Sequence, residues 1–286
     1  MRILRAEHMG WCFGVRDAVQ RVLQEAQRQP VTVLGELVHN ETVNDGLRAR
    51  GVTLETQPGE VNTGTVVITA HGTSDVVRQE AQEHFPKVVD TTCPLVRAAH
   101  DAVKRLVADG FHPVIIGQRN HVEVRGLTGD LDTFDVVLTA ADVAALPAGK
   151  RFGVVAQTTQ PMERVRWLTG LIRDRFPKAE VRLVDTVCLP TKQRQASAVE
   201  LAQHCDAVVV IGGINSNNTR ELAETCGRYC RHVFRIERAS ELRREMFVEL
   251  ETVGITAGTS TPDEVIDEVE QWLLALAAQH AHGVAA

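Results

Sequence analysis

Aromatic residues are scarce in this sequence and basic residues are not in excess. Of 286 residues, 4% are aromatic, and 31 Lys and Arg stand against 37 Asp and Glu, for a net charge of −6. A nucleic-acid groove wants basic stripes and stacking platforms, so this composition argues against that partner. A small, locally positive pocket for an anionic metabolite stays open. Long hydrophobic runs are also missing. The longest near the C-terminus, Trp272 to Ala278, falls far short of the ~20 residues a bilayer-spanning helix needs. Arg2, Arg5 and Glu7 occupy the place where a signal peptide carries its apolar core, so a cytosolic protein is expected. No Walker or G-x-G-x-x-G loop occurs, which speaks against a bound nicotinamide. Tight C-x₂-C runs, typical of fully ligated iron–sulfur clusters, are absent as well.

What is present is a repeat. Hydrophobic content of 44% suffices for real cores, and length alone suggests about two domains. Apolar, β-branched runs recur at "VTVL" (31), "VVIT" (66), "PVII" (113), "FGVV" (152), "AVVVI" (207) and "VGIT" (253). Helical patterns lie between several of them. "PLVRAAHDAVKRLVADG", from Pro94 to Gly110, opens on proline, repeats apolar residues at three and four, and closes on glycine. Strand–helix alternation of this kind predicts α/β units with parallel sheets.

The alternation is periodic. After Cys12, Cys93 and Cys188 a helical stretch leads to a strand ending at Gly35, Gly117 and Gly212. Four residues beyond each glycine stands a polar group: His39, His121 and Ser216. Later in each copy a second strand runs into a small polar loop, "TAHGTS", "AQTT" or "TAGTS". The signature D-T-x-C occurs twice, at Asp90–Cys93 and Asp185–Cys188. Three α/β units are therefore expected, 12–92, 93–187 and 188–286, with an N-terminal strand in 1–11 joining the third. Open parallel sheets bind ligands beyond the carboxyl ends of their strands. A pseudo-threefold trefoil of such units is expected to aim three cysteines and six loops at one central cavity.

Each repeat cysteine stands at or just before a helix N-terminus, where free N–H groups and the helix dipole favour the thiolate. Three thiolates suit zinc with one open position. They suit equally three irons of a 4Fe–4S cluster, used as Lewis acid and electron source rather than as an electron carrier. Cys205, Cys226 and Cys230 fall outside the repeat and read as packing residues, since no fourth ligand accompanies "CGRYCRH".

The ordered motifs "GWCFGVRDAV", "ELVHN", "AHGTS", "DTTCPLV", "HVEVRG", "AQTT", "DTVCLPTKQRQ", "NSNNT" and "TAGTSTP", from Cys12 to Pro262, resemble the LytB family of 4-hydroxy-3-methylbut-2-enyl diphosphate reductases. The resemblance implies a trefoil around a 4Fe–4S cluster held by Cys12, Cys93 and Cys188. It implies the last step of the non-mevalonate isoprenoid pathway, with an allylic hydroxyl removed reductively to give isopentenyl and dimethylallyl diphosphates. His39, His71 and His121 are then expected to face the substrate, with Ser216, Asn218 and Ser260 on its diphosphate. Asn217 joins that set although the commonest family pattern has serine there. Glu123, taken here as exposed on a loop, is expected to supply protons, and Thr158 to order the hydroxyl end. Val122 replaces a frequent proline, so the Glu123 loop is expected to be less stiff, and Ala156 replaces a frequent threonine. The RNA-binding extension of some relatives is not expected after the terminal helix. Electrons are expected from a ferredoxin or flavodoxin, with neither nucleic acid nor membrane as a partner.

Three other readings share some of these features. A three-cysteine cluster enzyme resembling quinolinate synthase shares the cluster but not "HVEV" with "NSNNT". An iron–sulfur redox sensor needs no Glu123 and binds no allylic diphosphate. A zinc hydrolase is colourless.

Overall fold

A computed structural model describes residues 1–283, so the last three positions of the expected third unit lie outside the described residues. The chain opens with β1 (Arg2–Arg5), α1 (Phe13–Ala26), β2 (Val31–Leu34), α2 (Glu41–Arg48), β3 (Thr53–Glu55), β4 (Thr65–Ile68) and α3 (Asp75–His84). It continues through β5 (Lys87–Asp90), α4 (Pro94–Ala108), β6 (His112–Ile116), α5 (Val122–Thr128), β7 (Asp135–Val137), α6 (Ala140–Ala145) and β8 (Arg151–Ala156). Then come α7 (Met162–Arg175), β9 (Glu180–Leu183), α8 (Leu189–Ala202), β10 (Ala207–Ile211), α9 (Asn217–Cys226), β11 (His232–Ile236), β12 (Thr252–Ala257) and α10 (Asp263–Gly283).

The strands form three parallel sheets of four, in the orders β3-β2-β4-β5, β7-β6-β8-β9 and β11-β10-β12-β1. All three share one topology, and the third is completed by the N-terminal strand, with Arg2 opposite Thr252 and Arg5 opposite Ile255. The α/β class with small parallel sheets is thus what the alternation predicts. The six central strands are the six apolar runs of the sequence. Helices cover both faces of a parallel sheet, so inner strands carry continuous apolar residues. Every residue of β4 and β10 is buried.

By internal packing the chain divides into two compact units. One comprises Met1–Phe13, His39–Asp45 and, among the described residues, 189–283, and holds the sheet of β10, β11, β12 and β1. Its core sets Phe247, Ile255, Ile266 and Leu273 on one face of that sheet, and Val208, Val210, Leu222 and Cys226 on the other. The second unit comprises Gly14–Val38 and Gly46–Cys188 and holds the other two sheets. Phe152, Val154 and Leu168 pack on one side of its β6–β8 pair, with Val103, Ile115 and Val155 on the other.

Helix starts follow local chemistry. Cys93 is the N-cap of α4 and Pro94 its first residue, a position where proline's missing N–H costs nothing. Gly110, at φ 79°, lies just past that helix's C-cap, in the conformation that ends many helices. Among the described residues no helix is long and apolar enough to cross a membrane.

Candidate active site

The strand order of each sheet reverses between its two central strands, and the carboxyl ends at such a switch point are where α/β sheets hold ligands. The sequence positions singled out above fall on the loops that follow those strands. His39 and His71 come after β2 and β4, His121 and Thr158 after β6 and β8, and Ser216 and Ser260 after β10 and β12. Repetition of one sheet topology is what spaces them evenly along the chain.

In the second unit, His71 and His121 are brought together, ring centroids 5.5 Å apart and planes at 85°. His121 is the N-cap of α5, and its Nδ1 accepts the Glu123 backbone N–H at 3.1 Å. With Nδ1 committed as acceptor, the neutral ring carries its proton on Nε2 and offers a donor there. Glu123 departs from expectation. It lies in the first turn of α5, not on an exposed loop, and is 1% exposed. Its Oε1 accepts the Thr158 N–H at 2.6 Å and its Oε2 the Thr158 hydroxyl at 3.1 Å. Burial pushes its carboxyl up to about 7, against the opposing pull of the two Thr158 bonds. Val122, expected to loosen a loop, is instead the first residue of this helix, the position proline itself favours.

The cysteines divide by environment, and none of the six is in a disulfide. Cys93 caps α4, while Cys12 and Cys188 directly precede α1 and α8. Each donates its backbone N–H to the loop after the second central strand of a sheet: Cys93 to Ala70 (3.0 Å), Cys188 to Thr158 (3.1 Å) and Cys12 to Thr259 (3.0 Å). These three bonds are one structural feature repeated. A Cβ on Gly14 would stand 2.5 Å from the Cys93 sulfur, so only glycine leaves that sulfur its place. By contrast, burial pushes the Cys205 thiol up to about 11 and Cys226 up to about 12, and raises Cys230 as well. Cys226 and Cys230 are buried, and Cys205 packs against the same apolar cluster. Those three are the packing residues expected.

In the first unit the loops after β10 and β12 meet. Ser216 caps α9 and accepts the Thr219 N–H at 3.3 Å. Asn218 Oδ1 accepts the Thr259 N–H at 3.0 Å, which fixes the amide's orientation. Its Nδ2 is then a buried donor with no hydrogen-bond partner among the described residues. Such an orphan costs free energy unless a ligand or water accepts from it. Asn217 turns its carbonyl to Arg220 at 2.7 Å instead. The Ser260 hydroxyl donates to the His39 carbonyl at 3.3 Å.

Two contributors escaped the sequence reading. Gln157 is fully buried, and its Oε1 accepts the Gln118 N–H at 3.1 Å, joining the loops after β6 and β8. A long polar residue directly after an apolar run was the available signal. Arg194, buried in α8, donates to the Gly10 carbonyl from Nε (3.0 Å) and Nη2 (2.6 Å), two residues before Cys12. Nothing in its spacing announced that.

Repeated parallel sheets, with polar loops after their central strands and thiols at helix starts, define an α/β protein of three like sheets. The LytB protein family model matches residues 3–274, and the chain belongs to that family. The 4-hydroxy-3-methylbut-2-enyl diphosphate reductase of Geobacter sulfurreducens is 38% identical over 272 residues, covering 94% of this chain and 95% of the relative. The protein of the same name from Aquifex aeolicus is 38% identical over 276 residues, covering 94% of each. Among solved structures, an (E)-4-hydroxy-3-methyl-but-2-enyl diphosphate reductase, described as the terminal enzyme of the non-mevalonate pathway, superposes with TM-score 0.69 at 36% identity, covering 96% of this chain and all of that one. The E-1-hydroxy-2-methyl-but-2-enyl-4-diphosphate reductase of Plasmodium falciparum superposes with TM-score 0.89, covering 94% of this chain and 87% of that one. At 24% identity, that likeness concerns the fold.

Proposed function

We propose that this chain is a 4-hydroxy-3-methylbut-2-enyl diphosphate reductase. It takes up two electrons and two protons, breaks the allylic C–O bond, releases the hydroxyl as water and yields isopentenyl and dimethylallyl diphosphates. Family membership supports the reading, and one observation carries the chemistry: a buried carboxyl poised near neutrality at Glu123, bonded to Thr158 and on the helix that His121 caps.

The donor set fits an iron–sulfur group, which the family uses. Cys12, Cys93 and Cys188 would hold a 4Fe–4S cluster with one iron free of protein ligands. Each stands at a helix start, and the Gly14 backbone leaves room for the Cys93 sulfur. When bound, that group supplies Lewis acidity toward the hydroxyl and passes the electrons. A ferredoxin or flavodoxin brings the electrons, and the reaction proceeds in the cytosol, where free thiols persist.

The chain's own residues do the rest. His39, His71, His121, Ser216, Asn217, Asn218 and Ser260 bind the substrate. The buried Asn218 Nδ2, with no hydrogen-bond partner among the described residues, presents a donor suited to a diphosphate without a large basic patch. When neutral, Glu123 holds its proton at Oε2, because Oε1 is engaged by the Thr158 N–H. The Thr158 hydroxyl, which donates to Oε2 in the structure, turns to accept that proton and passes its own to the departing oxygen, which leaves far more readily as water than as hydroxide.

The test is anaerobic purification, an iron and sulfide count, and turnover of the allylic diphosphate with dithionite as reductant. A bound cluster without turnover would favour the redox sensor. Colourless protein holding zinc would favour the hydrolase.

A further inference from the structure

Helix α5, with His121 at its start and Glu123 in its first turn, is tied at its other end to the loop that carries His71. Three contacts make the tie, all within the second unit. A Cβ on Gly126 would stand 3.3 Å from the Thr73 Cα and 3.4 Å from His100 Cε1. One on Gly129 would stand 2.8 Å from the Ser74 Cβ. At Gly129 a side chain would overlap the loop, and at Gly126 it would crowd it, so these glycines let the helix lie close against the loop. Just beyond them, Asp130 reaches across to the start of α3. Its Oδ2 accepts the Asp75 N–H at 2.8 Å and its Oδ1 the Val76 N–H at 3.1 Å.

The first donors of α3 are thus satisfied in two ways. Ser74 caps locally, its hydroxyl accepting the Val77 N–H at 3.4 Å. The Asp75 and Val76 donors depend on a carboxylate from another sheet's connection. Helices usually find such caps in their own sequence. An imported carboxylate does more than end a helix, because it ties the segment that follows the His71 loop to the far end of the helix that His121 caps.

We infer that Asp130, with Gly126 and Gly129, is a positioning device that sets the separation of His71 and His121. The inference rests on reading both histidines as substrate-facing. Asp130 touches no reacting atom and acts through the Thr73–Val76 segment. At the near end of α5, Glu123 is held independently by Thr158. Loosening the far end therefore moves the His71 loop against His121 more than it disturbs the proton donor.

The experiment compares Asp130→Ala, Asp130→Asn and Gly126→Ala with a control, Asp142→Ala. Asp142 likewise accepts backbone N–H groups, from Leu138 and Thr139, but only around its own helix α6. Crystal structures should show the His71–His121 centroid separation changed from 5.5 Å in Asp130→Ala and Gly126→Ala, and kept in the control. With the cluster-loaded enzyme, KM for the allylic diphosphate should rise about tenfold in Asp130→Ala with kcat within about twofold, the pattern of lost uniform binding. Asp130→Asn keeps one acceptor and should fall between, and Asp142→Ala should leave KM alone. An unchanged ring separation in Asp130→Ala and Gly126→Ala would overturn the inference. So would an equal KM rise in Asp142→Ala, which would mark a general stability effect. If the wild-type enzyme turned over no diphosphate, the proposed function would fall, and the ring separation would still decide the role of Asp130.

Discussion

Glu123 and Thr158 form a closed pair: one carboxylate oxygen accepts the threonine's N–H at 2.6 Å, the other its hydroxyl at 3.1 Å. Thr158 also gives its carbonyl to the N–H of Cys188 at 3.1 Å, so one residue links the acid to a repeat cysteine. A buried acid and a repeat cysteine are thereby both tied to the short loop after β8.

Glu123→Gln keeps size and hydrogen bonding but has no proton to give. The variant should retain iron and bind substrate nearly as well as wild type. Its turnover with dithionite should fall by at least a hundredfold, within the ~10²–10⁴ typical of general-acid loss. In the wild type, turnover should decline as pH rises through about 7, where the acid ionises. Wild-type rates in Glu123→Gln would assign the proton to another group.

The same carboxyl makes stability depend on pH. Its folded pKa is raised from 4.5 to about 7, so between those values the folded state binds more protons than the unfolded one. Stability from this group is then whole below about 4.5 and declines as pH rises to about 7. Anaerobic denaturant titrations at pH 5 and pH 8 should show Glu123→Gln gaining on wild type at the higher pH. A difference independent of pH would mean the carboxyl is not held in its neutral form.

Replacing Cys12, Cys93 or Cys188 by alanine should abolish or badly destabilise iron binding. Cys205→Ala, Cys226→Ala and Cys230→Ala should keep full iron, since burial holds those thiols protonated. Gly14→Ala should also lower iron content by crowding the Cys93 sulfur. Iron and sulfide analysis of the seven variants reads this directly, and a full complement in Cys93→Ala would refute the ligand set.

Asn218→Ala removes the buried Nδ2 donor. Calorimetry on the anaerobic protein should show diphosphate binding weakened by about 1–3 kcal/mol, as for a hydrogen bond to a charged group, with the visible spectrum unchanged. Unaltered affinity would place the anion elsewhere.

Phe152 is fully buried in β8, 4.7 Å between ring centroids from Phe176. Phe152→Ala should cost about 3–5 kcal/mol of stability through lost burial and the cavity left behind. A loss under 1 kcal/mol in denaturant titration would show that this core collapses around the gap.

The sequence alone determined the six inner strands, the class of fold and the even spacing of the loops. An inner strand is covered on both faces, so it must be apolar throughout, and a run such as "AVVVI" can be little else. The repeat cysteines were legible because the same strand–helix unit recurs, and the LytB motifs lay in order along it. Edge strands were different. β3, β5, β7, β9 and β11 each lie at a sheet margin and interleave charged or polar residues with apolar ones, as in "KVVD" and "EVRL". A half-exposed strand tolerates that mixture, so its pattern merges with loop. Only the tertiary structure decided that Glu123 is buried, because its shield is the Thr158 loop, 35 positions away. It alone brought Asp130 to the start of α3, 55 positions before it. Local sequence specifies which groups a segment offers, whereas burial and hydrogen-bond partners depend on what the rest of the chain packs against it.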